Sequence, residues 1–153
     1  MSRYEFLLTV HVLAAIAWLG AAVCVQLLAV RADRSQDAEQ MRKIADDAEW
    51  LAARLFIPAS LLVLVLGILL TLDGPWEFSQ TWIILGLAGY AFSFLVGLLF
   101  ISPESGRIHR LIGEQGAGHS EVRRRIKRIF LVSRVELVIL VLVVVVMIVK
   151  PGL

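Results

Sequence analysis

Long apolar stretches alternate with charged stretches along the chain, and four of the apolar ones are long enough to cross a bilayer. Residues 6–30, 55–72 and 78–102 contain no Lys, Arg, Asp or Glu. Residues 129–149 form the fourth stretch, which Arg134 and Glu136 interrupt near its start. A helix needs about 20 apolar residues to cross a hydrocarbon core of roughly 30 Å. The pattern predicts transmembrane helices at about residues 5–30, 52–73, 79–102 and 129–149.

This pattern predicts an all-α, polytopic membrane protein. Residues 1–153 would form one domain, a four-helix antiparallel transmembrane bundle. The composition agrees, because 59% of the residues are hydrophobic and the mean hydropathy is +0.82. Such a chain is too apolar for a soluble domain, whose surface must carry polar groups. The first apolar stretch is too long for a cleaved signal peptide and is expected to stay as an anchor.

The first and third loops carry helical patterns. Met41, Ile44, Ala45 and Ala48 recur at helical spacing in the first loop, which predicts a cytoplasmic stalk beginning near Gln36. In the third loop, the glycine-rich residues 113–118 form a flexible break between two helical patterns, as in an αα-hairpin. The sequence therefore predicts helical cytoplasmic extensions on the bundle.

Two prolines are expected to end helices, because proline lacks an N–H and clashes with the preceding turn. Pro103 is expected to close the third span, and Pro151 with Gly152 to follow the end of the fourth.

The basic residues predict the orientation. Eleven of the 15 Lys and Arg residues lie in loops 31–49 and 103–128, whereas the middle link 73–77 has none. The positive-inside rule places these two loops in the cytoplasm and both termini outside. We expect a multi-pass protein of the bacterial cytoplasmic (inner) membrane. The sequence pI is about 9.0, and because the basic residues flank membrane segments, they indicate anionic lipid headgroups as partners rather than nucleic acid.

Small residues follow one face of the third span. Gly86, Gly89, Ser93 and Gly97 are spaced by three and four residues, which lets helix backbones approach closely in lipid. We interpret this stripe as a packing seam rather than a binding site. Its partner could be the small residues of the first span, Ala14, Ala15, Gly20 and Ala22.

Cys24 is the only cysteine, so no intramolecular disulfide can form. Free cysteine is usually a small buried hydrophobe, and we expect Cys24 to be one.

His11 is the histidine that lies within an apolar stretch, and it is the strongest candidate for chemistry. Ionisable residues inside a membrane usually face the bundle interior, and imidazole is a common ligand of haem iron and copper. Trp18 lies seven residues later on the same helix face. The alternative is a neutral histidine that bonds to a carbonyl on a neighbouring helix. His109 and His119 lie in the third loop and are expected to be solvated surface residues.

Three charged residues lie at similar depth near the cytoplasmic boundary of the second and fourth spans. Arg54 is expected to meet Glu136 across the bundle, while Arg134 reaches a headgroup or a buried polar ligand. An ion pair that avoids isolated charges in lipid and a site for an acidic ligand, such as a porphyrin propionate, fit this arrangement equally well. No motif of a hydrolase, an ATPase or a zinc protease is present.

The chain also resembles known membrane families. Residues 11–20 (HVLAAIAWLG), the Ser133 and Arg134 pair and the terminal residues 147–152 (MIVKPG) resemble a family of bacterial integral membrane proteins that share a domain of unknown function. The H-(x)6-W-L-G opening is similar to the copper-resistance D membrane proteins and to the small haem-containing membrane protoporphyrinogen oxidases. The oxidases also tend to end on a Lys-Pro pair.

The wider resemblance implies that His11 is an axial ligand of haem b or a ligand of copper, with Trp18 and Gly20 beside it. The chain departs from these groups in three ways. One intramembrane histidine cannot form a bis-histidine haem within one chain, and the third span lacks the lysine or histidine of an oxidase site. The methionines that a copper transporter would pair are isolated, at Met1, Met41 and Met147.

Two functions follow, from different classes. The first is a haem- or copper-associated redox membrane protein with cofactor-binding residues His11, Trp18, Arg54 and Arg134. The second is a non-catalytic accessory subunit or assembly factor, whose partners would be other membrane subunits or further copies of the chain. The sequence assigns no reaction, substrate or cofactor identity.

The predicted topology can be tested with reporter fusions. A reporter that is active only outside the cytoplasm should be active when fused after Leu153 and silent when inserted at Gly116, because the two sites lie on opposite sides of the membrane. The reverse pattern would overturn the orientation.

Overall fold

Four long helical rods dominate the fold. The computed structural model describes residues 2–35, 37–116 and 118–152, without the side chain of Ala38. In this part of the chain, four helical stretches are long and apolar enough to cross a membrane: Arg3–Ser35, Glu39–Asp73, Thr81–Gln115 and Ser120–Val149. The all-α polytopic fold is thereby confirmed.

The rods comprise six α-helices and two short π-helical segments. The first rod is α1 (Arg3–Ser35) and the fourth is α6 (Ser120–Val149). The second joins α2 (Ala38–Leu51) and α3 (Ile57–Asp73) through a π segment at Ala52–Phe56, and the third joins α4 (Thr81–Val96) and α5 (Ser102–Gln115) through one at Gly97–Ile101. Helices α1, α3, α4 and α6 hold the predicted spans, and α2 and α5 are the predicted extensions.

Pro103 does not end the third helix, contrary to the sequence prediction. The rod continues to Gln115 because the π segment precedes the proline. In that segment the Ser102 N–H bonds to the Gly97 carbonyl, five residues back. In an α-helix the ring of a proline clashes with the carbonyl four residues before it. For Pro103 that carbonyl belongs to Leu99, which lies inside the widened π turn. Pro58 is tolerated in the same way, because it follows the π segment that ends at Phe56. There the Ile57 N–H donates a hydrogen bond to the Ala52 carbonyl.

The helix ends are defined by local chemistry. The Asp37 side chain accepts hydrogen bonds from the backbone N–H groups of Glu39 (2.9 Å) and Gln40 (3.2 Å) and so caps α2. Helix α5 continues into the predicted glycine-rich break, residues 113–118, and ends there at Gln115, before Gly116, whose φ of 83° favours glycine. The predicted start of the stalk, Gln36, lies outside the described residues.

The spans pack as two pairs. Helix α1 lies along α3, and α4 lies along α6, while α1 also contacts α6 and joins the pairs. The spatial order is therefore α3, α1, α6, α4. Direct contacts between α3 and α4 are few among the described residues.

The small-residue seam packs on the fourth span rather than the first. A Cβ on Gly86 would overlap Met147, and one on Gly89 would overlap Val143. Gly97 and Gly20 have open space around them instead, so neither belongs to a seam. Cys24 is exposed on the surface of α1 and is not the buried residue expected. A pattern of small residues indicates a close approach but not which helix approaches.

The most tightly packed region lies at the loop end of the rods, and we call it the head. Its core is formed by buried residues of α1, α2, α5 and α6: Ala29, Ala32, Met41, Ile108, Val122, Ile126 and Phe130. Met41 is 1% exposed and Val122 is fully buried. Where this core extends beyond the apolar stretches, water drives its burial at about 1.5–3 kcal/mol for each large side chain. Lipid supplies no such force between the spans.

Aromatic and charged side chains join the rods at the opposite, terminal end. Trp76 Nε1 donates a hydrogen bond to Tyr4 Oη at 3.0 Å, and the Trp76 ring meets that of Trp82 edge-on at 5.2 Å. Lys150 Nζ lies 3.9 Å from the centroid of the Trp76 ring. The start of α1, the link between α3 and α4, the start of α4 and the residue after α6 are thus held together at one end of the bundle.

The seam can be tested with matched glycine variants. Gly89→Leu should lower the free energy of unfolding by about 1–3 kcal/mol, because the new side chain must displace Val143. Gly97→Leu adds the same atoms into open space and should leave the melting temperature in detergent nearly unchanged. Equal losses at both positions would contradict the assignment of the seam to α4 and α6.

Candidate functional site

His11 lies inside the bundle, against the second span. Its imidazole is half-buried and packs on Gly67 of α3, where a Cβ would lie 3.4 Å from His11 Cε1 and 3.8 Å from Nδ1. The carbonyl of Val63, one turn away on α3, interacts with the same ring. Nδ1 is buried and has no hydrogen-bond partner among the described residues. The ring edge that carries Nδ1 and Cε1 thus packs on α3, and Nδ1 has no hydrogen-bond partner there.

The sequence of α3 explains this position. A Cβ at residue 67 would already be in van der Waals contact with the imidazole, so a side chain larger than that of alanine would separate the two helices at this level. The Gly67 carbonyl is satisfied on its own helix, because Thr71 Oγ1 donates to it at 2.9 Å. The imidazole therefore meets backbone that needs no further partner and packs against it.

Trp18 contacts the third span rather than the second. Its ring lies edge-on to that of Tyr90, with centroids 6.1 Å apart, and Tyr90 stacks on Phe94 at 6.1 Å. His11 and Trp18 thus project from α1 toward two different helices. Together they link α1 to both α3 and α4, the two helices that make few contacts with each other.

Two polar groups of α4 were not among the sequence candidates. The Tyr90 hydroxyl and Ser93 Oγ are buried without a hydrogen-bond partner in the described part of the chain. Ser93 was interpreted only as a small residue of the seam, and Tyr90 as part of an apolar run. Their spacing of three residues could have indicated a polar patch on one helix face.

The arginines proposed as cofactor partners lie far from His11. Arg54 is exposed in the first π segment, with its guanidinium carbon 5.0 Å from the centroid of the Trp50 ring. It is thirteen residues from Gly67, or about 20 Å along the helix axis at ~1.5 Å per residue. Arg134 is also exposed, in the head-side half of α6. The structure does not bring His11 together with either arginine.

The expected ion pair between Glu136 and Arg54 is not formed. Glu136 is half-buried on α6 and makes no ion pair with another described residue. Arg54 instead lies over Trp50, on the stretch that leads into its own span. Similar depth permitted the pair but did not fix the rotation of the two helices.

The other two histidines are exposed, as expected, and each also has a defined partner. His109 on α5 pairs with Glu49 of α2 and lies 3.7 Å from Asp46 of the same helix. Ser105 also donates to Glu49, at 3.1 Å. His119 Nδ1 accepts the Glu121 N–H at 3.3 Å and caps α6. Both histidines therefore stabilise the head.

No group of three or more His, Cys, Asp or Glu side chains suited to a metal ion occurs among the described residues. His11 therefore belongs to no such group there. A copper ion is bound by several nitrogen or sulfur donors, and this residue set does not fit one.

Residues 5–151 match the family described as "Predicted integral membrane protein (DUF2269)". The match covers nearly the whole chain, so the chain belongs to this family. The predicted membership of an uncharacterised membrane family is confirmed, whereas this match does not extend to the copper-resistance or oxidase groups. No curated protein and no solved structure matches the chain.

Proposed function

We propose that this member of the family is a haem-associated redox protein of the membrane, with His11 as the axial ligand. The observation that supports the proposal is the buried, unpartnered His11 Nδ1 in the bundle interior. Leaving a buried polar atom unpaired costs about 1–3 kcal/mol, and a ligand would remove that cost. Gly67 beside the ring is the second supporting feature, since a larger residue there would press on the imidazole.

The surroundings of His11 suit a ligating histidine. Such residues commonly give one ring nitrogen to the ligand and the other to a carbonyl, which fixes the orientation of the ring. The Val63 carbonyl, one turn from Gly67 on α3, would take the second part in this arrangement. A haem bound there would supply one-electron chemistry at a potential tuned by its axial ligands and its surroundings. Trp18 contacts Tyr90 of α4 instead, so we do not propose it as part of this site.

Charge partners for such a cofactor would come from the terminal end. Arg3 and Lys150 are the cations at that end, where Arg3 lies 3.6 Å from Asp73 and Lys150 lies over Trp76. For Arg54 and Arg134 we propose headgroup contacts instead, because both are exposed near the opposite boundary. Copper is not proposed, because His11 belongs to no group of three or more His, Cys, Asp or Glu side chains among the described residues.

We propose the bacterial inner membrane as the location, with the head in the cytoplasm. The support is the concentration of Lys and Arg in the two loops that build the head, which the positive-inside rule assigns to the cytoplasm. His11 then lies in the outer half of the bilayer, about 12 Å along α1 from Arg3 at ~1.5 Å per residue.

A second candidate function is that of a non-catalytic accessory subunit or assembly factor. It is favoured by the ligand count, since His11 belongs to no group of three or more candidate metal ligands among the described residues. In that case the ring is a core residue bonded to the Val63 carbonyl. A second copy of the chain, or another membrane subunit, would then be the partner.

Reduced-minus-oxidised optical spectra of the protein purified from its native membrane test the proposal. The wild type should carry stoichiometric haem with a Soret band, and His11→Ala and His11→Gln should both lose it. Glutamine is similar in size to histidine and can still donate to the Val63 carbonyl. A loss of haem in His11→Gln therefore cannot be attributed to a cavity. His109→Ala and His119→Ala are matched controls that should keep the band.

Wild-type protein without haem would refute the redox function and leave the accessory function as the leading one. Retention of haem by His11→Gln would show that another residue is the ligand.

A further inference from the structure

A charged groove lies between the third and fourth rods, at the junction of the bundle and the head. It has a volume of about 320 Å³ and is lined by Glu104 of α5 and by Glu121, Arg124, Arg125 and Arg128 of α6. The groove is separate from His11, which lies toward the other end of the bundle.

The groove lies at the level where a bilayer surface would be. Arg128 immediately precedes the apolar stretch of the fourth span. Its guanidinium carbon lies 5.2 Å from the centroid of the Phe100 ring, in the π segment that ends the third span. An arginine at this level presents its charge to headgroup phosphates.

The carboxylates of the groove are already engaged by arginines. Arg125 Nη1 donates to Glu104 Oε1 at 2.6 Å, and Arg125 Nε donates to Glu121 Oε1 at 2.8 Å. The other oxygen of Glu121 pairs with Arg124 at 2.6 Å. The hydrogen bond from Arg124 is the main reason why the pKa of the Glu121 carboxyl lies below its usual value. These carboxylates therefore hold the side chains of Arg124 and Arg125 in place.

Arg128 is the cation of the groove that no carboxylate neutralises among the described residues. Arg124 lies one turn before it on the same face of α6, and its side chain is 77% exposed. Two guanidinium groups spaced in this way can each present paired N–H donors to a phosphate.

Apolar surface continues from the groove toward the bundle. Leu131, one turn after Arg128, is 59% exposed, and Leu99, next to Phe100, is 69% exposed. A lipid with its phosphate at the arginines could lay its acyl chains along these side chains. A soluble phosphate compound would leave both leucines uncovered.

We propose that this groove binds the phosphate headgroup of an anionic phospholipid, with Arg128 and Arg124 as the phosphate ligands. Glu104 and Glu121 hold the arginine side chains in place, and Leu99 and Leu131 receive the acyl chains. The site is a defined one, distinct from the general attraction of basic loops to an anionic surface.

Binding of short-chain phosphatidylglycerol to the purified full-length protein in a neutral detergent tests the site. Arg128→Gln should weaken binding at least tenfold. Arg128→Lys keeps the charge but loses the paired donors, and it should also weaken binding measurably. Arg31→Gln is the matched control, because Arg31 is exposed and immediately follows the apolar stretch of the first span. Arg31→Gln should lower the affinity for the lipid by no more than the roughly fivefold that one surface charge contributes.

Two results would overturn the proposal. Equal losses for Arg31→Gln and Arg128→Gln, with full binding by Arg128→Lys, would mean that the attraction is diffuse. Inorganic phosphate that binds as tightly as the lipid and displaces it would mean that a soluble phosphate compound is the ligand. The comparison requires that every variant melts near the temperature of the wild type. If Arg128→Gln fails to fold, Arg124→Gln takes its place in the test.

Discussion

The hydrogen bonding of the backbone is the constraint on which the structure depends. Inside a bilayer no water can satisfy a free N–H or carbonyl group, so each span must keep its helical bonds. Proline removes one of these bonds, and this chain places prolines at 58 and 103, close to where spans meet the head. The two π segments resolve the conflict, because the N–H groups of Ile57 and Ser102 bond five residues back instead of four. Two rods can then leave the membrane without a break.

Continuous rods explain why the tightest packing lies at one end. Between 11 and 22% of each apolar span window is buried, so the spans make a thin bundle with most of their surface toward lipid. The rods carry α2 and α5 into the region where water can drive burial, and there they enclose Met41, Ile108 and Val122. The aromatic contacts around Trp76 hold the opposite end. The interior between these two ends is where His11 lies, and the proposed haem site depends on both ends to hold its geometry.

The sequence predicted the long-range plan better than the local contacts. Span lengths and the helical loops follow from hydropathy and spacing, which depend on each segment alone. Hydropathy and spacing do not predict which helix packs on the glycine seam, because a face of small residues fits any neighbouring helix. The rotation of α6 decides that Val143 meets Gly89. For the same reason the predicted ion pair between Arg54 and Glu136 was wrong. His11 was identified from its type and depth, whereas its neighbour Gly67 needed the fold. Pro103 was misinterpreted because a π turn has no clear sequence signature.

The central claim is that the third rod runs unbroken through Pro103 into a packed head. Amide hydrogen exchange of the protein in lipid nanodiscs, followed over residues 104–112, tests this claim most directly. Exchange should be slow there and comparable with that of residues 122–130 of α6, because both stretches are helical and pack on one core. Exchange as fast as that of a loop over residues 104–112, with α6 still protected, would contradict it.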